Sequence, residues 1–399
     1  MTRESYAELD LAIACCRWPR SPARDSAIRD AAARVSDWEQ FERVVARHRI
    51  APLVRDGLSC ATILLPPAID ERLSRRAADR AIDSLVMARE SVRLQRAMRA
   101  AGIPALILKG AAVGYLAYGD VGMKESWDID LLTSPENAAP AHALLQALGY
   151  RVVEPAGLAS SQFERFTRYA MEAVYRDPAT GLSVELHWRV ARNRTLLPGT
   201  DVHSPAQSLP FAGDELLTFD DDTLFAYLCV HGTRHGWARL KWLADFAALI
   251  APCSPAETER RYRAAVAAGA GRAPAVTLLL CRHLFDSAMP ADLARELEGD
   301  RLTRFLALAA LALMRDRQEP PAFILPPWQW FFSRFLLVPG TAYLRTEIHD
   351  LWNRPIDRAR FGAPLAGSLF HLVRLPLSFA RLMGRVGSRL TVRAKASFG

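Results

Sequence analysis

Over residues 1–100 apolar positions recur every three to four residues among Ala, Arg and Leu, the period of helices that bury one face. The strongest run extends from Pro67 to Ala100, and the Gly102 and Pro104 that follow predict its stop. The texture then changes. ALIL (105–108) is an uninterrupted apolar strand leading into Lys109-Gly110, and AAVGYLAYG reads as a short helix after it. In KESWDIDLL (124–132) a period of two puts Asp128 and Asp130 on one face of a strand and Ile129 and Leu131 on the other. A helix is predicted to open at Ser134-Pro135-Glu136 and to stop at Gly149. RYAMEAVYRD and LSVELHWRV are two strands joined by the turn residues 177–181. In the second, Glu185, His187 and Arg189 share one face, and Val184, Leu186, Trp188 and Val190 the other. From about Asp220 the helical period returns and holds to about Arg317, where Pro320, Pro321, Pro326 and Pro327 break it. No internal repeat or low-complexity segment is visible.

With 399 residues, half of them hydrophobic, the chain can bury a large core in two or three packed units. No uncharged apolar run of about 18 residues occurs, and the first residues lack a basic-then-apolar leader, so a cytoplasmic protein is expected. Six cysteines without CxxC or metal-ligand spacing read as reduced thiols. The net charge of +8 changes meaning once it is located. Beyond Leu351 nine Lys or Arg stand against the single acid Asp357, so the body of the chain is neutral. A nucleic-acid reader builds its basic patch into the folded domain, and nucleic acid is not an expected partner. In the tail Arg381, Arg385 and Arg389 line one helical face, a pattern that can touch an anionic membrane. Pro364, Pro376 and Gly384 interrupt it, which favours a docked or loose basic end over a membrane surface.

Two carboxylates side by side repel, and one is driven toward protonation unless a cation joins them. Glu185 adds a third acid. Three carboxylates holding two Mg²⁺ ions are what nucleotidyl transfer requires: one ion steadies a triphosphate and the other activates the attacking hydroxyl. Gly110 and the helix start after it would offer N–H groups to phosphates, and Lys109 a fixed positive charge. Plainer readings stand beside these. Lys109 can snorkel from a strand end, Glu185 can pair with an arginine across the hairpin, and His187 reads as a hydrogen-bonded structural histidine. His231 and His235 are one turn apart, but without a third ligand zinc is not expected. With Arg239, Lys241 and Asp245 they read as the polar face of a helix across the cleft, its cations near a triphosphate.

LILKGAAVGYLAYGDVGMKESWDIDLL, a helix ending LGY, VELHW and HGTRHGWARLKWLADFAALI, with RHRIAPLV upstream, together resemble an uncharacterised bacterial nucleotidyltransferase family with a Lys-Gly motif. That family is a branch of the polymerase-beta-like nucleotidyltransferase superfamily. The resemblance covers about Trp38 to Ile250. It implies an α+β fold, a mixed β-sheet core within a helical frame, with Asp128 and Asp130 as metal ligands, Glu185 as third acid and Gly110 at the phosphate loop. Lys124 stands where the family has Arg, Trp127 where it has Gly, and Ala111 where the wider superfamily has Ser. The expected organisation is a helical region (1–101), a nucleotidyltransferase core (102–192), a helical domain (193–320) and a basic tail (321–399). The expected reaction is Mg²⁺-dependent transfer of a nucleoside monophosphate from an NTP to an acceptor hydroxyl or phosphate, the acceptor belonging to a modified-peptide or polysaccharide pathway. The nucleotide is expected to meet Lys109, Gly110, Lys124, His231, His235 and Lys241. An inactive binding protein of the same fold and a membrane-surface adaptor are the rival classes.

Overall fold

The computed structural model describes residues 7–211, 213–315, 333–352 and 355–361. Five helices come first: α1 (Ala7–Cys15), α2 (Pro22–Ala32), α3 (Trp38–His48), α4 (Ala51–Cys60) and α5 (Pro67–Ala100). Ser21 and Asp37 accept hydrogen bonds from the first-turn amides of α2 and α3, which would otherwise lack partners. α5 has the limits read from the sequence, with proline in its first turn and Gly102 in the left-handed conformation after its end.

The central sheet contains β1 (Leu106–Ile107), β2 (Ile129–Leu132), β3 (Arg151–Glu154), β4 (Glu172–Arg176) and β5 (Ser183–His187), in the order β1-β2-β5-β4-β3. Only β2 and β5 run parallel, so the sheet is mixed. α6 (Ala111–Tyr118) follows β1, while α7 (Ala138–Ala147) and α8 (Ser160–Tyr169) flank β3. The apolar face of the sheet, with Ile129, Leu131, Ala173, Tyr175, Val184 and Leu186, forms one core with Ala141, Leu145, Phe163 and Phe166 of α7 and α8. That burial orients the sheet: Asp130 and Glu185 must face the opposite way.

Several boundaries differ from the sequence pattern. The apolar run 105–108 has strand geometry only at Leu106 and Ile107, although Leu108 N still donates to Asp130 O at 3.0 Å. The helix expected at Ser134 begins at Ala138, because the Ser134–Asn137 stretch closes a turn through Asn137 N to Ser134 O. Arg168 and Tyr169, expected in a strand, finish α8 instead, because Phe163 and Phe166 bury its face against the sheet. Between 193 and 220, where no element was named, a hairpin forms from β6 (Ala206–Phe211) and β7 (Asp214–Phe219). Buried Gln95 of α5 joins it to the sheet, donating to Ala105 O and Leu217 O and accepting from Leu217 N.

The remaining helices are α9 (Asp221–Arg234), α10 (Leu240–Ile250), α11 (Pro255–Ala267), α12 (Ala273–Phe285), α13 (Ala291–Gly299), α14 (Arg301–Arg315), α15 (Thr341–Trp352) and α16 (Pro355–Phe361). Most of them share a second core with α1–α4. Trp237 lies on Gly232, where an added Cβ would sit 2.2 Å from the indole, so a residue larger than glycine cannot hold that turn. Among the described residues no helix is long and apolar enough to cross a membrane. The tail features at 364–395 lie outside the described residues.

Candidate active site

The polar face of the sheet is built by register. Parallel pairing sets Asp130 of β2 beside Glu185 of β5, and antiparallel pairing sets Glu172 of β4 opposite His187. Lys109 leaves β1 and places its Nζ 2.8 Å from Asp130 Oδ1. His187 Nε2 lies 3.2 Å from the same oxygen and 3.5 Å from Glu185 Oε2, and its Nδ1 lies 3.2 Å from Glu172 Oε2. Asp130 is 1% exposed, so these charges meet out of reach of bulk water.

Burial opposes the charge of Asp130, but Lys109 and His187 outweigh it and hold the carboxyl well below the usual carboxylate range. Burial likewise opposes the Lys109 ammonium, and Asp130 overcomes it, keeping the lysine well above its ordinary value. The same contest pushes His187 up to about 9, its hydrogen bonds to Asp130 and Glu185 outweighing desolvation. Glu185 is raised, chiefly by burial.

Asp130, Glu185 and His187 each present a ligand atom, and these atoms lie within 4.8 Å of one another. Asp130 Oδ2 is buried without a hydrogen-bond partner among the described residues. A buried carboxylate oxygen left unsatisfied is costly, and a cation relieves it. The carboxylate oxygens of Asp130 and Glu185 suit a hard divalent ion, so the acids present fit a metal. Asp128 stands half-buried just before β2, outside this group of three, and its charge bears on Lys109, Glu185 and Lys241.

Gly110 has φ 60° and ψ −118°, a conformation that an L side chain rarely adopts, and it turns the chain from β1 into α6. No side chain caps the start of α6. Its first amides are therefore open to an anionic ligand beside Lys109.

Beside Lys109, α9 contributes residues spaced by four and three: Tyr227, His231 and Arg234. His231 Nε2 lies 3.4 Å from Lys109 Nζ, and burial and the Lys109 charge hold its pKa well below the ordinary histidine value. Arg234 Nη2 approaches Glu172 Oε1 at 3.6 Å, and Tyr227 is buried next to the Lys109 charge.

Of the residues singled out in the sequence, Lys109, Asp130 and Glu185 converge, Asp128 and Gly110 adjoin them, and His231 reaches Lys109. Three lie apart. Lys124 is ion-paired to Asp245, which also accepts from Tyr118 at 3.0 Å. His235 stacks on Trp242 with ring centroids 4.9 Å apart. Lys241 donates to Glu125 O at 3.3 Å. Arg189 leaves the shared strand face after β5 and donates instead to the last carbonyls of α8, Thr167 O at 2.9 Å and Ala170 O. Glu172, Tyr227 and Arg234 were missed. Counting strand pairs back from the 177–181 turn puts Glu172 opposite His187, and the 227, 231, 234 spacing marks one helix face.

A family model described as an uncharacterised nucleotidyltransferase matches residues 34–286, and the chain belongs to that family. No curated protein and no solved structure matches the chain.

Proposed function

We propose that the protein transfers a nucleoside monophosphate from an NTP to an acceptor hydroxyl or phosphate, with Mg²⁺ held by Asp128, Asp130 and Glu185. The observation that carries this reading is the buried, unpartnered Oδ2 of Asp130 inside the Asp130–Glu185–His187 group, in a chain of nucleotidyltransferase lineage. When bound, the metal supplies charge for the triphosphate and lowers the pKa of the attacking hydroxyl.

The chain's own groups do the rest. The α6 amides and Lys109 hold the phosphates while the acceptor oxygen attacks the α-phosphorus; the bond to the β-phosphate breaks and pyrophosphate leaves. Glu185, raised by burial, is placed to take the acceptor's proton. His187 Nε2 bonds Asp130 Oδ1, and the Glu172 charge 3.2 Å from its Nδ1 favours the imidazolium that makes that bond. His231, kept neutral, lets Lys109 remain the positive group beside Asp130.

Calorimetric titration with Mg²⁺ and each NTP tests this. The wild type should bind and release pyrophosphate once acceptor is supplied, whereas Asp128→Asn with Asp130→Asn should bind at least tenfold more weakly. Equal binding by the two proteins would refute the metal site. The Lys109–Asp130 pair already satisfies one carboxylate oxygen and Ala111 offers no hydroxyl, which favours a second reading, a nucleotide-binding protein without turnover. Tight NTP binding with no pyrophosphate from any acceptor mixture would select it.

A further inference from the structure

Beside the carboxylates, the loop before β2 and the start of α10 gather cations around an exposed indole. Lys241 is 8% exposed, yet among the described residues no carboxylate lies within ion-pairing distance of it. Its Nζ donates to the Glu125 carbonyl and lies 5.9 Å from the Trp242 ring centroid, and the charges of Lys124 and Arg49 oppose its own while those of Asp128 and Asp245 favour it. Lys124 is engaged with Asp245. A buried ammonium with no carboxylate in direct contact among the described residues, and with further cations near, gains when an anion joins it.

The neighbouring surface is built around Trp127. Trp127 is 42% exposed, with the Arg49 guanidinium 4.1 Å and the Arg80 guanidinium 5.2 Å from its ring centroid. Its Nε1 donates to Glu125 Oε1 at 3.1 Å, and Glu125 Oε2 accepts from Ala51 N at the start of α4. The same Glu125 therefore fixes the indole through its side chain and Lys241 through its carbonyl. Asp128 follows Trp127 directly and is felt both by Lys241 and by the Lys109–Glu185 side, so this patch adjoins the position where transfer is proposed.

We propose that Lys241, Arg49 and the exposed Trp127 ring form the acceptor subsite, and that the acceptor carries an anionic group, a phosphate or a carboxylate, beside the oxygen that receives the nucleotide. This rests on the transfer reading above and moves Lys241 from the nucleotide side to the acceptor side. The lysine supplies a point charge, the guanidinium a planar fork for two oxygens, and the indole an apolar floor for the acceptor's carbon skeleton. The triphosphate is left to Lys109, Gly110 and the amides of α6.

The test uses the full chain with Mg²⁺ and the α,β-methylene NTP analogue that binds tightest, titrated calorimetrically with glycerol 3-phosphate and, separately, with succinate. At least one probe should bind the wild type, and the stronger of the two identifies the anion. Lys241→Met and Arg49→Asn should each weaken that probe tenfold or more and leave analogue affinity within twofold. Asparagine is chosen because Arg49 has φ 55°, a conformation asparagine tolerates, so the fold should persist. Loss of analogue affinity in step with the probe would assign these cations to the triphosphate and overturn the subsite while leaving transfer intact. Probe binding that is absent, or equal in wild type and variants, would also overturn it. Titration without nucleotide separates the two ideas: Arg49- and Lys241-dependent probe binding by a protein that binds no analogue supports the anion subsite and removes the donor reading.

Discussion

Asp130 and Lys241 are both buried charges, and they are resolved in opposite ways. Asp130 has Lys109 and His187 against one oxygen, whereas Lys241 touches a carbonyl and the Trp242 ring and has no carboxylate in direct contact among the described residues. Burial, reinforced by Lys124, lowers Lys241 to about 7 from an ordinary 10.5, with Asp128 and Asp245 opposing. Below about 7 both folded and unfolded chains carry this proton, so the penalty is constant. Between about 7 and 10.5 the unfolded chain binds a proton that the fold does not, so the Lys241 contribution makes stability rise with pH. Comparing urea denaturation of the wild type and Lys241→Met at pH 7 and pH 9 should show the wild type gaining about 2 kcal/mol relative to the variant. Parallel pH profiles would mean that the ammonium is solvated.

At the scale of elements, the site depends on how β1 passes into α6. Gly110 makes that turn at φ 60°, and a Cβ there would find its nearest neighbour, Asp128 O, at 3.7 Å. The space is adequate, so Gly110→Ala is disfavoured by backbone strain rather than by collision. A loss of about 1–3 kcal/mol is expected in chemical denaturation, together with weaker NTP binding as the α6 amides are re-aimed. Unchanged stability would show that the turn relaxes into an ordinary conformation. The β4–β5 hairpin carries the other half of the site: its turn sets the register, and the register sets Glu172 against His187 and Glu185 beside Asp130.

In the whole molecule, segments distant in sequence hold the sheet from outside. Asn193, shortly after β5, donates to Glu347 Oε1 of α15 at 2.9 Å, and Arg334 Nε donates to Glu347 Oε2 at 2.7 Å. Ala359 of α16 is fully buried in the sheet's core. A chain ending at residue 315 should therefore melt at a lower temperature, because Asn193 and the core lose their cover. One ending at residue 361 retains these contacts and is the comparison. Equal melting of the two in a fluorimetric scan would show that α15 and α16 contribute nothing to stability.

The helical frame, the strand–Gly–helix unit and the acidic strand were legible because each is a local pattern. Periodicity, a Gly–Pro stop and alternating Asp and Ile state which face is buried, and the apolar face of a strand leaves its carboxylates one direction to point. The sequence alone also carried the family resemblance, since its motifs are contiguous words. Pairing was not legible. Which strand lies beside β2, and in which register, depends on contacts between residues more than 50 positions apart, so Asp130 met Glu185, and Arg234 met Glu172, only in three dimensions. Lys124 and Lys241 illustrate the same limit: a lysine's charge is known from its letter, but whether it meets Asp245 or a carbonyl is decided by packing. Local chemistry nominated the acids, and the tertiary structure decided which cations answer them, because electrostatic partners are chosen by distance and burial rather than by spacing along the chain.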